Sequence, residues 1–234
     1  EDKANMLLTL KSEFLKDEKY SIKLAYSTSD NKATTLDLGD LSLENLKDNL
    51  SLFKFNVENP QLWFPNGYGN PTLYEATIYL YNKESICLDS VKTRFGIRTI
   101  ELSQKKDKYG SEFCFIVNGK PIFAKGANLV PSAMHKERYE GMSKHIDLVK
   151  ECNMNMLRVW GGGYYVDEQM YEACDEKGIL IWQDFPFACA LYPATKDYLA
   201  EVEAEARQNV LRISSHPSLA VWCGNNEIWE GWGN

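Results

Sequence analysis

No apolar run in this 234-residue sequence approaches the roughly 18 consecutive residues of a membrane-spanning helix, so a membrane is not expected as a partner. Basic charge is also scarce: 26 Lys and Arg stand against 33 Asp and Glu, a formal net charge of −7. That balance lacks the electropositive footprint of a nucleic-acid binder. The six cysteines (Cys87, Cys114, Cys152, Cys174, Cys189 and Cys223) form no CxxC pair, and the three histidines, His135, His145 and His216, are scattered. Neither a zinc site nor a dense disulfide framework is therefore expected, and most cysteines read as small buried hydrophobes. The opening "EDKANMLLTL" lacks the basic and then apolar layout of a secretion signal. What is present is ordinary globular composition, 44% hydrophobic and 25% charged, in a chain long enough for two domains. Aromatic residues reach 12%, and Trp160, Trp182, Trp222, Trp229 and Trp232 gather in the C-terminal half. Flat indole faces suit the C–H faces of sugars, although a core role is the commoner fate of any one Trp.

Two hydrophobic periods divide the chain. From Asn5 to about Ile100 the runs "MLLTLKSEFL", "YSIKLAY", "LSLFKFNV", "TLYEATIYLY" and "SICLDSVKTRFGIRTIEL" alternate in twos between polar turns. They predict an antiparallel β-sandwich of immunoglobulin-like size over residues 1–100. Within it "ENPQLWFPNGYGNP" carries enough proline and glycine to fix a long connection and reads as a structural corner.

After a connecting segment at residues 101–120 the period changes. "PIFAKGAN" reads as a strand and Arg138 to Cys152 as an amphipathic helix bearing Met142, Ile146 and Val149. "NMLRVW" is then a strand, Asp167 to Lys177 a helix stopped by Gly178, "ILIWQDF" a strand, Lys196 to Ser215 a helix and "LAVWCGNNE" a strand. Such alternation implies parallel strands with right-handed helical crossovers. Each strand ends in polar or unusual residues: Asn128, then Arg158 and Trp160, then Gln183 and Asp184, then Asn226 and Glu227. In a (β/α)8 barrel the carboxyl ends of the strands form the active face. Residues 121–234 thus read as the N-terminal half of a TIM barrel, strands one to four, with an open α/β sheet as the alternative.

Four of these residues invite chemistry. Glu227 closes an apolar strand among amides and indoles; burial there would hold its proton and suit a general acid. Its bland alternative is an acid favouring the start of the helix "IWEGW". The amide of Asn226 both donates to and accepts from a hydroxyl, or else simply makes a turn. Arg158 interrupts an apolar run, where an unpaired guanidinium is rarely tolerated, so it is expected to point into the strand-end cleft and pair a carboxylate. Asp184 is a candidate partner for it. "WGGGYY" lacks the spacing of a phosphate loop; its glycines would let backbone and Trp160 approach a ligand closely.

The blocks "RVWGGG", "WQDFPFACALYP" and "HPSLAVWCGNNE" together resemble glycoside hydrolase family 2, and within it the β-mannosidases. The resemblance extends through "FGIRTIEL" and "VNGKPIFAKGAN" to "NPQLWFPNGYGNPTLY", most of the chain. It implies an immunoglobulin-like sandwich followed by a catalytic barrel, and retaining hydrolysis of terminal β-D-mannose from β-mannosides without a metal or other cofactor. By this likeness Glu227 matches the acid/base, and Asn226 the amide that contacts the sugar 2-hydroxyl. Trp160 matches an indole lining the subsite, and Arg158 the arginine near the catalytic carboxylates; Asp184 is placed with the substrate-binding residues. The attacking glutamate of the family lies on a later strand, so the remaining half of the barrel and an N-terminal sugar-binding domain are expected in a parent chain, and this segment alone is expected to be inactive. Where relatives carry an aromatic and an acid, "GANLVPSAM" has Leu129 and Ala133. Other readings are a non-catalytic carbohydrate-binding or scaffold fragment, or a sister specificity toward β-galactosides or β-glucuronides.

Overall fold

The computed structural model describes residues 2–12, 19–28, 30, 33–41, 50–130 and 145–232. The chain forms two compact units, residues 1–61 with 73–97, and residues 62–72 with 98–234.

The first unit is a β-sandwich. One sheet pairs β1 (Lys3–Lys11) antiparallel with β4 (Leu50–Glu58); the other runs in the order β3 (Thr34–Leu41), β2 (Tyr20–Ser27), β5 (Tyr74–Asn82), β6 (Cys87–Phe95). The period of two seen in the sequence is the period of burial: Tyr20, Ile22, Leu24 and Tyr26 of β2 are buried, as are Tyr74, Ala76 and Ile78 of β5 and Phe53 and Val57 of β4. Tyr26, Phe55, Tyr74 and Phe95 form an aromatic cluster, with Tyr74 stacked on Phe95 at 5.0 Å between centroids. Pairs of this kind add about 0.5–1.5 kcal/mol each beyond the area they bury.

The second unit opens with a three-stranded antiparallel sheet, β7 (Ile100–Ser103), β8 (Cys114–Val117) and β9 (Lys120–Ile122). The segment read as a connection thus contributes residues to all three strands of this sheet. Four parallel strands follow in spatial order, β10 (Gly126–Leu129), β11 (Met156–Val159), β12 (Leu180–Asp184) and β13 (Leu219–Cys223). Helices α1 (His145–Glu151), α2 (Glu168–Lys177) and α3 (Lys196–Ile213) fall between them, and α4 (Ile228–Trp232) comes last. Their apolar faces meet in one core that includes Leu157, Val159, Met170, Tyr171, Ile179, Ile181 and Ile213. The architecture is an immunoglobulin-like sandwich followed by the first half of a TIM barrel.

Helix boundaries follow local chemistry. The Asp167 carboxylate accepts from the Met170 amide at the start of α2, and Gly178, left-handed at φ 74°, closes it with its own amide donating to Cys174 O. The hydroxyl of Thr195 caps α3 in the same way. Of the helix expected over Arg138–Cys152, the described part begins at His145; Met142, Ala133 and His135 lie outside the described residues. "PIFAKGAN" is two strands rather than one. Asn155, fully buried, explains the break: its side chain accepts from the Lys125 amide at 2.8 Å and donates to Phe123 O at 3.1 Å. Backbone groups that a continuous strand would pair are satisfied by that amide instead.

The corner at residues 62–72 belongs to the barrel unit. Trp63 has no exposed surface, and its indole N–H donates to Asp175 O at 2.8 Å. Asn66 donates through its amide to Gly178 O and through its side chain to Met154 O, and the Trp63 carbonyl accepts from Asn118. A loop rigid by composition therefore serves as a clamp on α2 and the turn before β11.

Candidate active site

Register sets the site. Asn128, Arg158 and Trp182 are paired across β10, β11 and β12, so their side chains lie in one row on one face of the sheet. Asp184 follows two residues later on β12 and points the same way. Arg158 reaches it with two bonds, Nε to Oδ1 at 3.2 Å and Nη2 to Oδ2 at 2.6 Å. The same guanidinium donates from Nη1 to Asn128 Oδ1 and from Nη2 to Asn226 Oδ1, at 3.1 and 2.8 Å. Three strand ends are thus tied to a fourth by one cation, because arginine alone offers five donors in a fixed fork.

Asp184 is saturated. Besides Arg158, it accepts from Trp182 Nε1 at 2.9 Å and from the Gly161 amide at 3.1 Å, and its side chain has no exposed surface. Expected among the substrate contacts, it has its acceptors turned to Arg158, Trp182 and the turn after β11. Arg158 keeps about a quarter of its side chain exposed, 27%.

The glycine run after β11 is explained by packing within the protein. A Cβ on Gly161 would lie 2.8 Å from Phe185 O and 2.7 Å from Phe187 O, and one on Gly162 would overlap the Trp160 ring. The glycines therefore admit the backbone after β12 and seat the half-buried indole of Trp160 at the strand end.

Beyond Asp184 the chain lies alongside the end of β13. The Asn226 amide donates to Phe187 O at 2.8 Å and the Cys189 amide to Asn226 O at 3.0 Å, an isolated parallel bridge between Ala188 and Asn226. Cys189 and Glu227 face each other there, each with a left-handed backbone at φ 50° and 55°. For residues other than glycine this conformation costs about 1–3 kcal/mol, and it clusters at functional sites. Asn226, itself buried, donates from Nδ2 to Cys189 Sγ at 3.4 Å, and Cys189 Sγ donates to Glu227 Oε2 at 3.4 Å. Glu227 is exposed, which corrects the expectation that burial among indoles would hold its proton. Trp182 packs on Phe113 at 5.7 Å, Trp222 stacks on Phe185 at 5.1 Å, and Trp229 is 82% exposed.

Cys189 was missed as a site residue because cysteine was expected inside. All six cysteines are free, and among them Cys174 alone is buried, its thiol pushed well up by burial. The Cys189 thiol is also raised, by local desolvation and by its bond to Glu227, which keeps it an S–H donor. The sequence signal available was adjacency: Cys189 lies within "WQDFPFACALYP", one of the blocks that carry the family resemblance.

A second polar cluster lies in the helical layer at the amino end of β13. His216, 8% exposed, contacts Asp175 Oδ2 through Nδ1 at 2.6 Å and Glu168 Oε1 through Nε2 at 2.8 Å. Asp175 Oδ1 accepts from the Ser218 amide, and Arg212 bonds Glu168 Oε2. Burial draws the His216 imidazole down, but the two carboxylates outweigh it and the net displacement is upward. Tyr171 stacks on His216 and donates to Gln183 Oε1 at 2.6 Å; burial raises its phenol.

Comparison with known proteins gives this geometry a context. Residues 1–98 match the family "Glycosyl hydrolases family 2", and residues 111–233 match "Glycosyl hydrolases family 2, TIM barrel domain". The chain is 45% identical over 191 residues to Beta-mannosidase B of Aspergillus flavus, an overlap covering 79% of this chain and 22% of that protein. It is 43% identical over 190 residues to Beta-mannosidase B of Emericella nidulans, with the same coverage of 79% and 22%. Among solved structures, a Beta-D-Mannosidase from Dictyoglomus thermophilum superposes with a TM-score of 0.78 at 34% identity, over 99% of this chain and 30% of that one. A Bacteroides uniformis beta-glucuronidase, at 23% identity and a TM-score of 0.73 over 97% of this chain and 26% of that one, shares the fold. The chain thus spans between about a fifth and a third of the length of these proteins. Since the barrel match alone takes in 123 of the 234 residues (111 to 233), including the four strand ends that Arg158 and Asp184 hold together, the chain belongs to glycoside hydrolase family 2.

Proposed function

We propose that this chain carries the acid/base half of a retaining exo-β-mannosidase, which removes terminal β-D-mannose from the non-reducing end of β-mannosides. One observation carries the reading: a continuous hydrogen-bonded path, Asp184, Arg158, Asn226, Cys189, Glu227, ends on an exposed carboxylate at the carboxyl ends of the barrel strands. Its support is the identity of 45% to proteins named Beta-mannosidase B.

In this mechanism Glu227 gives its proton to the glycosidic oxygen as the bond to the anomeric carbon breaks. The leaving alcohol keeps the bonding electrons. A second carboxylate, about 5–5.5 Å away in retaining enzymes, bonds to the anomeric carbon, and Glu227 then takes a proton from the water that releases the sugar. That nucleophile is assigned to a later barrel strand. Asn226 presents its amide to the 2-hydroxyl, with Oδ1 held by Arg158. Trp160, seated over Gly162, offers its ring to the sugar, and Arg158 supplies positive charge beside the two acids. Asp184 holds Arg158 without touching the ligand. No metal or cofactor is assigned to these steps.

The test is a Glu227→Gln substitution in a full-length polypeptide carrying these residues, assayed on aryl β-mannosides. Cleavage of poor leaving groups is expected to fall by about 10²–10⁴-fold, the usual worth of a positioned acid, while the glycosylation step of activated phenolates is spared. Equal loss on both classes would sink the acid role. A parallel panel of β-galactosides and β-glucuronides tests the sugar, with mannosides expected to give the highest kcat/KM.

A further inference from the structure

The proposed chemistry uses Glu227 and Asn226 but leaves the thiol between them without a task. We propose that Cys189 is the positioning residue for Glu227: held by the Asn226 amide, its S–H donates to Oε2 and leaves Oε1 to carry the transferable proton. This rests on the reading of Glu227 as the general acid.

The direction of every bond in the path follows from its first member. A guanidinium has donors and no acceptor, so the Asn226 atom facing Arg158 must be the carbonyl oxygen. The amide nitrogen then faces Cys189, and since it too can only donate, Sγ is the acceptor there. The S–H is left to point at Glu227 Oε2. Reversing the Asn226 amide would set two donors against each other at Arg158, so the orientation of Glu227 is dictated from Asp184, four hydrogen bonds away.

The backbone supports the same role. Cys189 is fixed by its amide bond to Asn226 O, and both Cys189 and Glu227 adopt left-handed conformations. That geometry brings the two side chains together, at an energy the surrounding bridge must offset. A thiol is a weak, long donor. It can orient an acid without fixing it as the ionised carboxylate, which a guanidinium in the same place would do. The raised thiol keeps Cys189 protonated at neutral pH, so the donor persists.

The experiment compares Cys189→Ala and Cys189→Ser in the full-length polypeptide on mannosides with poor and with activated leaving groups. The alanine variant is expected to lose about tenfold in kcat on poor leaving groups, the upper worth of one hydrogen bond to an uncharged acid, and to stay within about twofold on activated ones. Serine, which keeps a donor, is expected to recover most of the loss. Equal loss on both classes, no loss, or a serine variant no better than alanine would overturn the positioning role. If Glu227→Gln is selective for poor leaving groups and Cys189→Ala is not, the positioning role alone falls. If Glu227→Gln is itself unselective, the acid reading falls with it. Should the alanine variant not fold, methylthiolation of the folded native protein removes the same S–H, with Cys189→Ser as the unreactive control. Selective slowing of poor leaving groups is then expected, and equal slowing of both classes overturns the role.

Discussion

Asp184 and Asp175 are both buried carboxylates of the barrel unit, and they differ in where their hydrogen bonds lead. Asp175, at the amino end of β13, accepts from His216 and the Ser218 amide, and the cluster continues to Glu168 and Arg212. Its bonds join α2, α3 and the chain entering β13. Asp184, at the carboxyl end of β12, holds Arg158, and from there the path runs outward to an exposed acid. The contrast matches the general division of such barrels, stability at the amino ends of the strands and chemistry at the carboxyl ends. Burial of an acid is therefore poor evidence of function here; what distinguishes the two is whether the network ends on an unspent group.

Breaking the carboxyl-end cluster at its root should have the largest effect on stability. Asp184→Ala leaves Arg158 uncompensated beside the core, and denaturant unfolding is expected to show a loss of about 3–5 kcal/mol. Activity should fall with it, because the register of Asn226 goes too. Glu227→Gln sharpens the comparison from the other end of the path: a large rate effect with a change in unfolding free energy of about 0.5 kcal/mol or less, since the side chain is exposed.

The amino-end cluster should behave inversely. His216→Ala strips Asp175 of its side-chain partner and is expected to cost about 2–4 kcal/mol, without altering the dependence of rate on leaving group. The sign of its pH dependence follows from the raised imidazole. A histidine that binds its proton more tightly when folded contributes stability fully below the unfolded value, near 6.5, and loses it as pH rises through the higher folded value. The unfolding free energy of the native protein should thus decline on the alkaline side of pH 6.5 relative to His216→Ala, whose profile lacks that component. Smallest is the cap of α3: Thr195→Ala should lower stability by about 1 kcal/mol, read as a shift of the denaturant midpoint.

Much of this was legible in the residues. Tyr20, Ile22, Leu24 and Tyr26 alternate with polar neighbours, and alternation fixes which face of β2 is inward. Gly178 marks the end of α2 because a left-handed closing residue favours glycine. Arg158 in an apolar run required a partner, and Asp184 lay at the next strand end. What escaped was exposure. Glu227 follows a strand and neighbours three tryptophans in sequence, yet nothing in that adjacency says which side chains the turn buries. Cys189 escaped for the same reason, since composition assigns cysteine to the core.

The sequence by itself determined the two architectures, the order of the parallel strands and the kinds of residue at their carboxyl ends, because periodicity, capping and breaking residues are local properties. Only the tertiary structure decided that Asp184 is buried and fully hydrogen-bonded, that the corner at residues 62–72 clamps the barrel unit, and that a thiol joins Asn226 to Glu227. Hydrogen-bond direction and solvent exposure depend on groups brought together from distant strands, and no local pattern encodes which of them will meet.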